Sequence, residues 1–233
     1  MKREAEQSQC GRNPSSAARL PSATLDERLR RLEGARPLFA FDLDSTVTRC
    51  ELLPLLAREL GIEAEMAART EACMAGGGDF AASFAARVAL LREIPLDRAR
   101  QIVAAAPLNP EIARVIRAHA PRCRILTGNL DAWIGDLIAS LNMTGRCLGS
   151  RAKCAGNRLL GVEAALDKGR AAAGLPRPLV AVGDGSNDVP MLRAADLAIA
   201  FGGCRAPSEA LLRAADLAID DEAALCALLE RLI

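Results

Sequence analysis

The chain has little of what several common chemistries depend on. Its 233 residues contain one histidine, His119, so mechanisms that need a histidine base are weakened at once. His119 lies at the end of a predicted helix, where a solvated or helix-end imidazole is the expected role. Cys10, Cys50, Cys73, Cys123, Cys147, Cys154, Cys204 and Cys226 include no CxxC pair and no Cys/His zinc spacing. They are expected to be reduced thiols acting as small hydrophobes. The formal charge is only +1, from 30 Lys plus Arg against 29 Asp plus Glu. That balance supplies no field for gathering nucleic acid or an anionic membrane surface, so the partner must be recognised locally. No apolar run reaches the ~18 residues of a membrane span, and no apolar signal core opens the chain. The expected location is the cytoplasm.

What is present is a globular pattern, 51% hydrophobic, enough for one sizeable core or for a main domain with a smaller companion. The first ~20 residues are polar, with Gly, Asn, Pro and Ser clustered, and read as a loose tail. Residues Ala23 to Glu33 carry charges at helical spacing and predict a short solvated helix. Five short apolar runs then appear, Pro37 to Phe41, Cys123 to Leu126, Leu179 to Val182, Leu197 to Phe201 and Leu217 to Ile219. Helical patterns alternate with them, at Pro110 to Ala120, Leu166 to Ala173, Val189 to Ala195, Ser208 to Ala214 and Glu222 to Leu232. This alternation predicts an α/β fold, a Rossmann-like parallel sheet wrapped by helices with its site at the carboxyl ends of the strands. Between Thr48 and Leu108 the alternation stops. Leu52 to Leu60, Glu63 to Met74 and Phe80 to Leu91 look helical with no strand between them, and Gly76-Gly77-Gly78 marks a turn among them. The expected organisation is therefore a tail and short helix over 1–36, a core over 37–47 and 109–233, and an inserted small helical cap over 48–108. Met143 to Gly161 predicts a strand and a small hairpin.

Carboxylates gather where those strands end. Asp42 and Asp44 close the first run; alone, Asp-x-Asp-Ser-Thr serves equally to cap a helix or shape a turn. Asp184-Gly185-Ser186-Asn187-Asp188 follows a later run, with glycines that permit tight turns and Pro190 placed for a helix's first turn, and by itself it too reads as a capping turn. Thr127-Gly128-Asn129 offers a hydroxyl and backbone amides suited to an anion, or merely a plain turn. Lys168 in isolation is a solvated charge. Together they make up what phosphoryl transfer requires: a nucleophile, a cation and donors for the equatorial oxygens.

In order along the chain, FDLDST, LTGN, Lys168 and VGDGSNDVPML resemble the four motifs of the haloacid dehalogenase superfamily of phosphatases. From about Leu38 onward the chain is most similar to the phosphoserine phosphatase family, cap positions included. The resemblance implies Mg²⁺ held by Asp42, Asp184 and the backbone carbonyl of Asp44. It further implies Asp42 as nucleophile, Asp44 as acid and base, and Thr127, Gly128 and Lys168 around the transferring group. Asp188 is implied to orient Lys168 or a metal-bound water, and Asn187 to support the substrate side. In the cap, Glu51 and Arg87 are implied to grip the amino and carboxylate groups of serine, with Met74 and Phe80 lining the apolar part of the pocket. Without the resemblance, Met74 and Phe80 are ordinary core residues, and Glu51 and Arg87 ordinary surface charges. The family has Ser-Gly-Gly where this chain has Thr127-Gly128-Asn129, so Asn129 narrows the pocket or meets a different leaving group. The implied partner is a small phosphate monoester, phosphoserine first. The alternatives are another small monoester, transfer to an acceptor other than water, or a non-catalytic regulator on the same fold.

Overall fold

The computed structural model describes residues 22–74 and 79–233. The polar tail and the Gly76-Gly77-Gly78 turn lie outside the described residues. In chain order the helices are α1 (Ser22–Ala35), α2 (Leu52–Ala57), α3 (Glu63–Met74), α4 (Phe80–Leu91), α5 (Leu96–Ala104), α6 (Pro110–Ala118), α7 (Asp131–Ser140), α8 (Lys168–Ala173), α9 (Val189–Arg193), α10 (Glu209–Ala214) and α11 (Glu222–Leu232). The strands are β1 (Leu38–Phe41), β2 (Cys123–Leu130), β3 (Cys147–Ala155), β4 (Arg158–Ala164), β5 (Leu179–Gly183), β6 (Leu197–Phe201) and β7 (Leu217–Ile219).

These strands form one seven-stranded sheet in the order β4-β3-β2-β1-β5-β6-β7. All neighbouring pairs are parallel except β3 and β4. Successive side chains point to opposite faces, and the two faces differ in size. Phe39, Phe41, Val180, Val182 and Ile199 pack on one side, in the larger core. Ala40, Ala181, Ala198 and Ala200 lie on the other, and these small residues let Ala172 of α8, Met191 and Leu192 of α9 and Leu211 of α10 pack close. Burial on both faces explains why the central strands read as unbroken apolar runs.

The chain lays down β2 and β3 on one side of β1 and β5, β6 and β7 on the other, so the crossovers diverge between β1 and β5 and leave a crevice at their carboxyl ends. Helices α2 to α5 are inserted above that crevice. Their two connections run side by side: Thr48 bridges Leu108, and the Arg49 amide donates to Pro107 O at 2.7 Å. The β3–β4 hairpin also reaches them, since Asn157 accepts from the amides of Leu96 and Asp97 at the start of α5, at 3.0 and 2.9 Å.

Two expectations are corrected. Helix α1 is not simply solvated. Leu32 is buried, Leu25 and Leu29 pack on the core, and Arg28 pairs with Asp216 at 2.5 Å. Strand β2 does not stop at Leu126 but continues to Leu130, because Leu130 still pairs with Ser150 of β3. Among the described residues no helix is long and apolar enough to cross a membrane.

Candidate active site

The crevice collects side chains from three strand ends. Asp42 follows β1, anchored by its amide on Val182 O at 2.9 Å. Asp184 follows β5, and Asp188 closes the turn Ser186–Asp188 that leads into α9. Lys168 is the first residue of α8, whose start is fixed by Asp167 accepting from the Arg170 amide at 2.9 Å. Its ammonium donates to Asp42 Oδ1 at 2.5 Å and to Asp188 Oδ1 at 2.6 Å, and all three side chains are buried. The other oxygen of Asp188 accepts from the amides of Asp184 and Gly185, at 3.1 and 3.0 Å. Gly183 makes room for this: a Cβ there would lie 2.6 Å from the carboxyl carbon of Asp188.

Asp42, Asp184 and Asp188 each offer a carboxylate oxygen, all within 4.8 Å of one another. Crowded carboxylates out of water resist ionisation. Burial, then Asp188, Asp44 and Asp184, push the Asp42 carboxyl well up, with Lys168 opposing. Burial and Asp188 push Asp184 up to about 7. Burial alone would lower Lys168, but Asp188 and Asp42 outweigh it and keep the ammonium charged.

Asp44 stands apart from that trio. Its Oδ1 accepts from the Leu52 amide at 2.8 Å, and its Oδ2 accepts a short hydrogen bond from Asn129 Nδ2. Burial and the neighbouring Glu51 raise it to about 7, against the Leu52 hydrogen bond. Thr127 is fully buried, and its Oγ1 accepts from the Asn129 amide at 3.1 Å. Gly128 lies under the tip of the Phe80 ring, which a Cβ would meet at 2.7 Å. Among the described residues the Oδ1 atoms of Asn129 and Asn187 are buried without a partner, and both residues line the pocket.

The inserted helices supply the pocket's other wall. Phe80 stacks on Phe84, with ring centroids 5.8 Å apart. Arg87 is 3% exposed; its guanidinium donates to Thr70 Oγ1 at 3.0 Å and approaches Cys73 Sγ at 3.6 Å. Among the described residues it has no carboxylate partner, although it lines the pocket. Met74 ends α3, and its side chain lies outside the described residues. Glu51 precedes α2, and its Oε1 accepts from Ser45 Oγ at 3.1 Å. Asp42, Asp44, Glu51, Phe80, Arg87 and Asn129 line a tight pocket that reaches about 340 Å³ only when the open solvent at its mouth is counted.

Three pocket residues escaped the sequence reasoning: Leu53 and Phe84, which read as ordinary apolar helix positions, and Arg205. Arg205, in the loop after β6, places Nε 2.7 Å from Asp184 Oδ2 and Nη2 3.2 Å from Glu51 Oε1. The one available signal was its position, because every loop at the carboxyl end of a parallel strand opens onto this crevice. His119 follows α6 shortly before the start of β2, at the amino ends of the strands and so away from the crevice. The described cysteines are free thiols.

Similarity to known proteins runs through the same residues. The family model described as haloacid dehalogenase-like hydrolase matches residues 39–193. The phosphoserine phosphatase SerB2 of Mycobacterium tuberculosis is 34% identical over 183 residues, which cover 70% of this chain and 44% of that protein. The chain therefore spans less than half the length of that relative. A phosphoserine phosphatase of Halobacterium salinarum is 32% identical over 177 residues, covering 70% of this chain and 84% of the relative. Among solved structures, a phospho-aspartyl intermediate analogue of phosphoserine phosphatase superposes with a TM-score of 0.69 at 28% identity, over 79% of this chain and 93% of the other. On the extent of the family match, which takes in the carboxylates after β1 and β5, Thr127 of β2 and Lys168, the chain belongs to the haloacid dehalogenase-like hydrolases.

Proposed function

We propose that the chain is a Mg²⁺-dependent phosphomonoester hydrolase that works through an aspartyl-phosphate on Asp42, with O-phosphoserine as its leading substrate. The observation that carries this reading is the buried Asp42 carboxylate held by Lys168 at 2.5 Å and surrounded by further carboxylates. That arrangement fits a nucleophile working beside cations, with the substrate's phosphate as the anion to be neutralised.

The donor set fits a hard divalent cation. Asp42 and Asp184 offer carboxylate oxygens whose mutual repulsion a cation would relieve, and oxygen ligands of this kind suit Mg²⁺. Asp42, Asp184 and the backbone carbonyl of Asp44 would hold it. Asp188 keeps its own oxygens on Lys168 and on two backbone amides, and so positions the lysine. When bound, Mg²⁺ would supply positive charge that offsets the repulsion between carboxylate and phosphate.

Asp42 then attacks phosphorus in line with the leaving oxygen. The ester P–O bond breaks, and Asp44 gives its proton to the departing alkoxide. In the second half, Asp44 takes a proton from the water that attacks the aspartyl-phosphate, which frees Asp42 and inorganic phosphate. A group held near 7 between two donors suits both tasks. Thr127 Oγ1, the Gly128 amide and the Lys168 ammonium stabilise the charge on the transferring group. We assign 37–47 and 109–233 to the core and 48–108 to a cap whose opening admits substrate and whose closing excludes water.

Substrate preference rests on Arg87. A buried guanidinium with no carboxylate partner among the described residues calls for an anion from outside, and a carboxylate answers with two parallel hydrogen bonds. Phe80 and Phe84 receive the apolar part of the leaving group. Met74 is placed beside them by resemblance alone. Glu51 faces the ammonium, and Asn187 offers an acceptor to the same end of the ligand.

A second reading keeps the chemistry and changes the leaving group or the acceptor. It is favoured by Asn129, whose Nδ2 occupies Asp44 at a position where the motif of the resembled family implies glycine, and by Arg205, which already pairs with Glu51. A phosphate-release screen with Mg²⁺ and with EDTA, comparing phosphoserine with other small monoesters, decides between them. The first reading expects metal-dependent release with phosphoserine preferred. Equal or better turnover of esters without both ammonium and carboxylate supports the second. Silence across the whole panel removes both.

A further inference from the structure

We propose that Arg205 is a built-in competitor of the divalent cation, setting how tightly the site takes up metal by neutralising Asp184 until metal arrives. The inference rests on the metal-dependent reading above and concerns a residue to which that reading gives no task.

Arg205 is held where it can act in this way. Its loop leaves β6 through Gly202 and Gly203, and a Cβ on Gly203 would fall 2.2 Å from the Phe201 ring, so the backbone must pass tightly over that side chain. The loop returns to the site when the Ser208 amide donates to Asp184 O at 3.3 Å. Between these points the guanidinium bridges two anions. Its Nε takes Asp184 Oδ2 at 2.7 Å, while its Nη2 takes Glu51 Oε1 at 3.2 Å. Asp184 is 2% exposed, and among the described residues its other oxygen has only a long 3.5 Å contact from Thr46 Oγ1. The guanidinium is therefore its principal source of positive charge.

An arginine does not give up its proton at ordinary pH. A dication at the carboxylate cluster must accordingly share Asp184 with a permanent positive charge, or displace it toward Glu51 and the pocket mouth, where the side chain is 29% exposed. Either way, the arginine opposes uptake. Because it also covers Glu51, cation uptake and presentation of Glu51 to a substrate ammonium are drawn into one adjustment.

The test is direct calorimetric titration of Mg²⁺ into EDTA-stripped, dialysed protein without substrate, comparing wild type with Arg205→Gln and Arg205→Lys. Removing a neighbouring unit charge from a partly desolvated site should tighten Mg²⁺ binding by roughly tenfold or more in Arg205→Gln. Arg205→Lys, which keeps a charge but not the fork, should fall between the two. Equal or weaker Mg²⁺ binding by Arg205→Gln overturns the proposal while leaving the metal-dependent reading intact, since Arg205 would then only orient Asp184. If neither wild type nor Arg205→Gln takes up Mg²⁺, the metal-dependent reading falls and this proposal with it.

Discussion

Replacing Arg87 by alanine tests the link between the inserted helices and substrate choice. The guanidinium is 3% exposed, donates to the Thr70 hydroxyl at 3.0 Å and lies 6.0 Å over the Phe84 ring, yet it meets no carboxylate among the described residues. A charge so placed gains most when a ligand brings the anion. Losing one partner of such a buried pair costs about 2–4 kcal/mol, which is ~30- to ~1000-fold in kcat/KM for phosphoserine. Hydrolysis of p-nitrophenyl phosphate, which has no carboxylate, should fall by less than about threefold, because the proposed partner of Arg87 is the carboxylate and not the phosphoryl group. Arg87→Lys should recover only part of the loss, since an ammonium lacks the planar fork. Steady-state kinetics on both substrates, with a thermal melt to confirm folding, make up the assay. Equal losses on the two esters would refute the argument and make Arg87 a structural residue or a general catalytic one.

Three further outcomes follow from the same geometry. Asp44→Asn should slow alkyl phosphate esters by about 10²–10⁴-fold and aryl esters far less, because a good leaving group needs little protonation; equal slowing of the phosphorylation step would exclude Asp44 as the acid. Asp44 and Asp184 are raised from 3.8 to about 7. Between those values the folded chain holds more protons than the unfolded one, so in EDTA the melting temperature should fall from about pH 5 to about pH 8, and Mg²⁺ should remove most of that fall; a melting temperature that rises over this range without metal would contradict it. Gly128→Ala places a Cβ 2.7 Å from the tip of the half-buried Phe80 ring. The ring can swing away, so stability should change little while kcat/KM for phosphoserine drops; unchanged kinetics would mean that Phe80 does not cover Gly128 during turnover.

The central strands were legible because burial on both faces turns them into apolar runs, and the carboxylates at their ends are visible as punctuation. Helices α5 and α7 went unassigned. In α5, LDRARQIVA lies within the inserted helical stretch but past the last helical pattern read there, and in α7, DAWIGDLIAS begins just after the LTGN motif, whose turn-like composition drew the strand boundary too early. What keeps that motif extended is pairing with β3, a long-range interaction that local composition does not encode. The same limit applies at the site. Lys168 and Asp42 are 126 positions apart, and only the motif pattern joined them. Arg205 belongs to no such pattern, and nothing in GGCRAP marks a residue that turns back onto Asp184 and Glu51. The partnering of Asn129 with Asp44, across 85 positions, was likewise out of reach, although the unusual residue itself stood out.

The most direct test of the account is to trap the covalent intermediate. Wild-type protein mixed with phosphoserine and Mg²⁺, quenched in acid within a single turnover and digested, should carry one acid-stable, hydroxylamine-sensitive phosphoryl group on the peptide that contains Asp42. Asp42→Asn should carry none and turn over no substrate. A phosphoryl group on another residue, or turnover retained by Asp42→Asn, would contradict the proposal that Asp42 is the nucleophile.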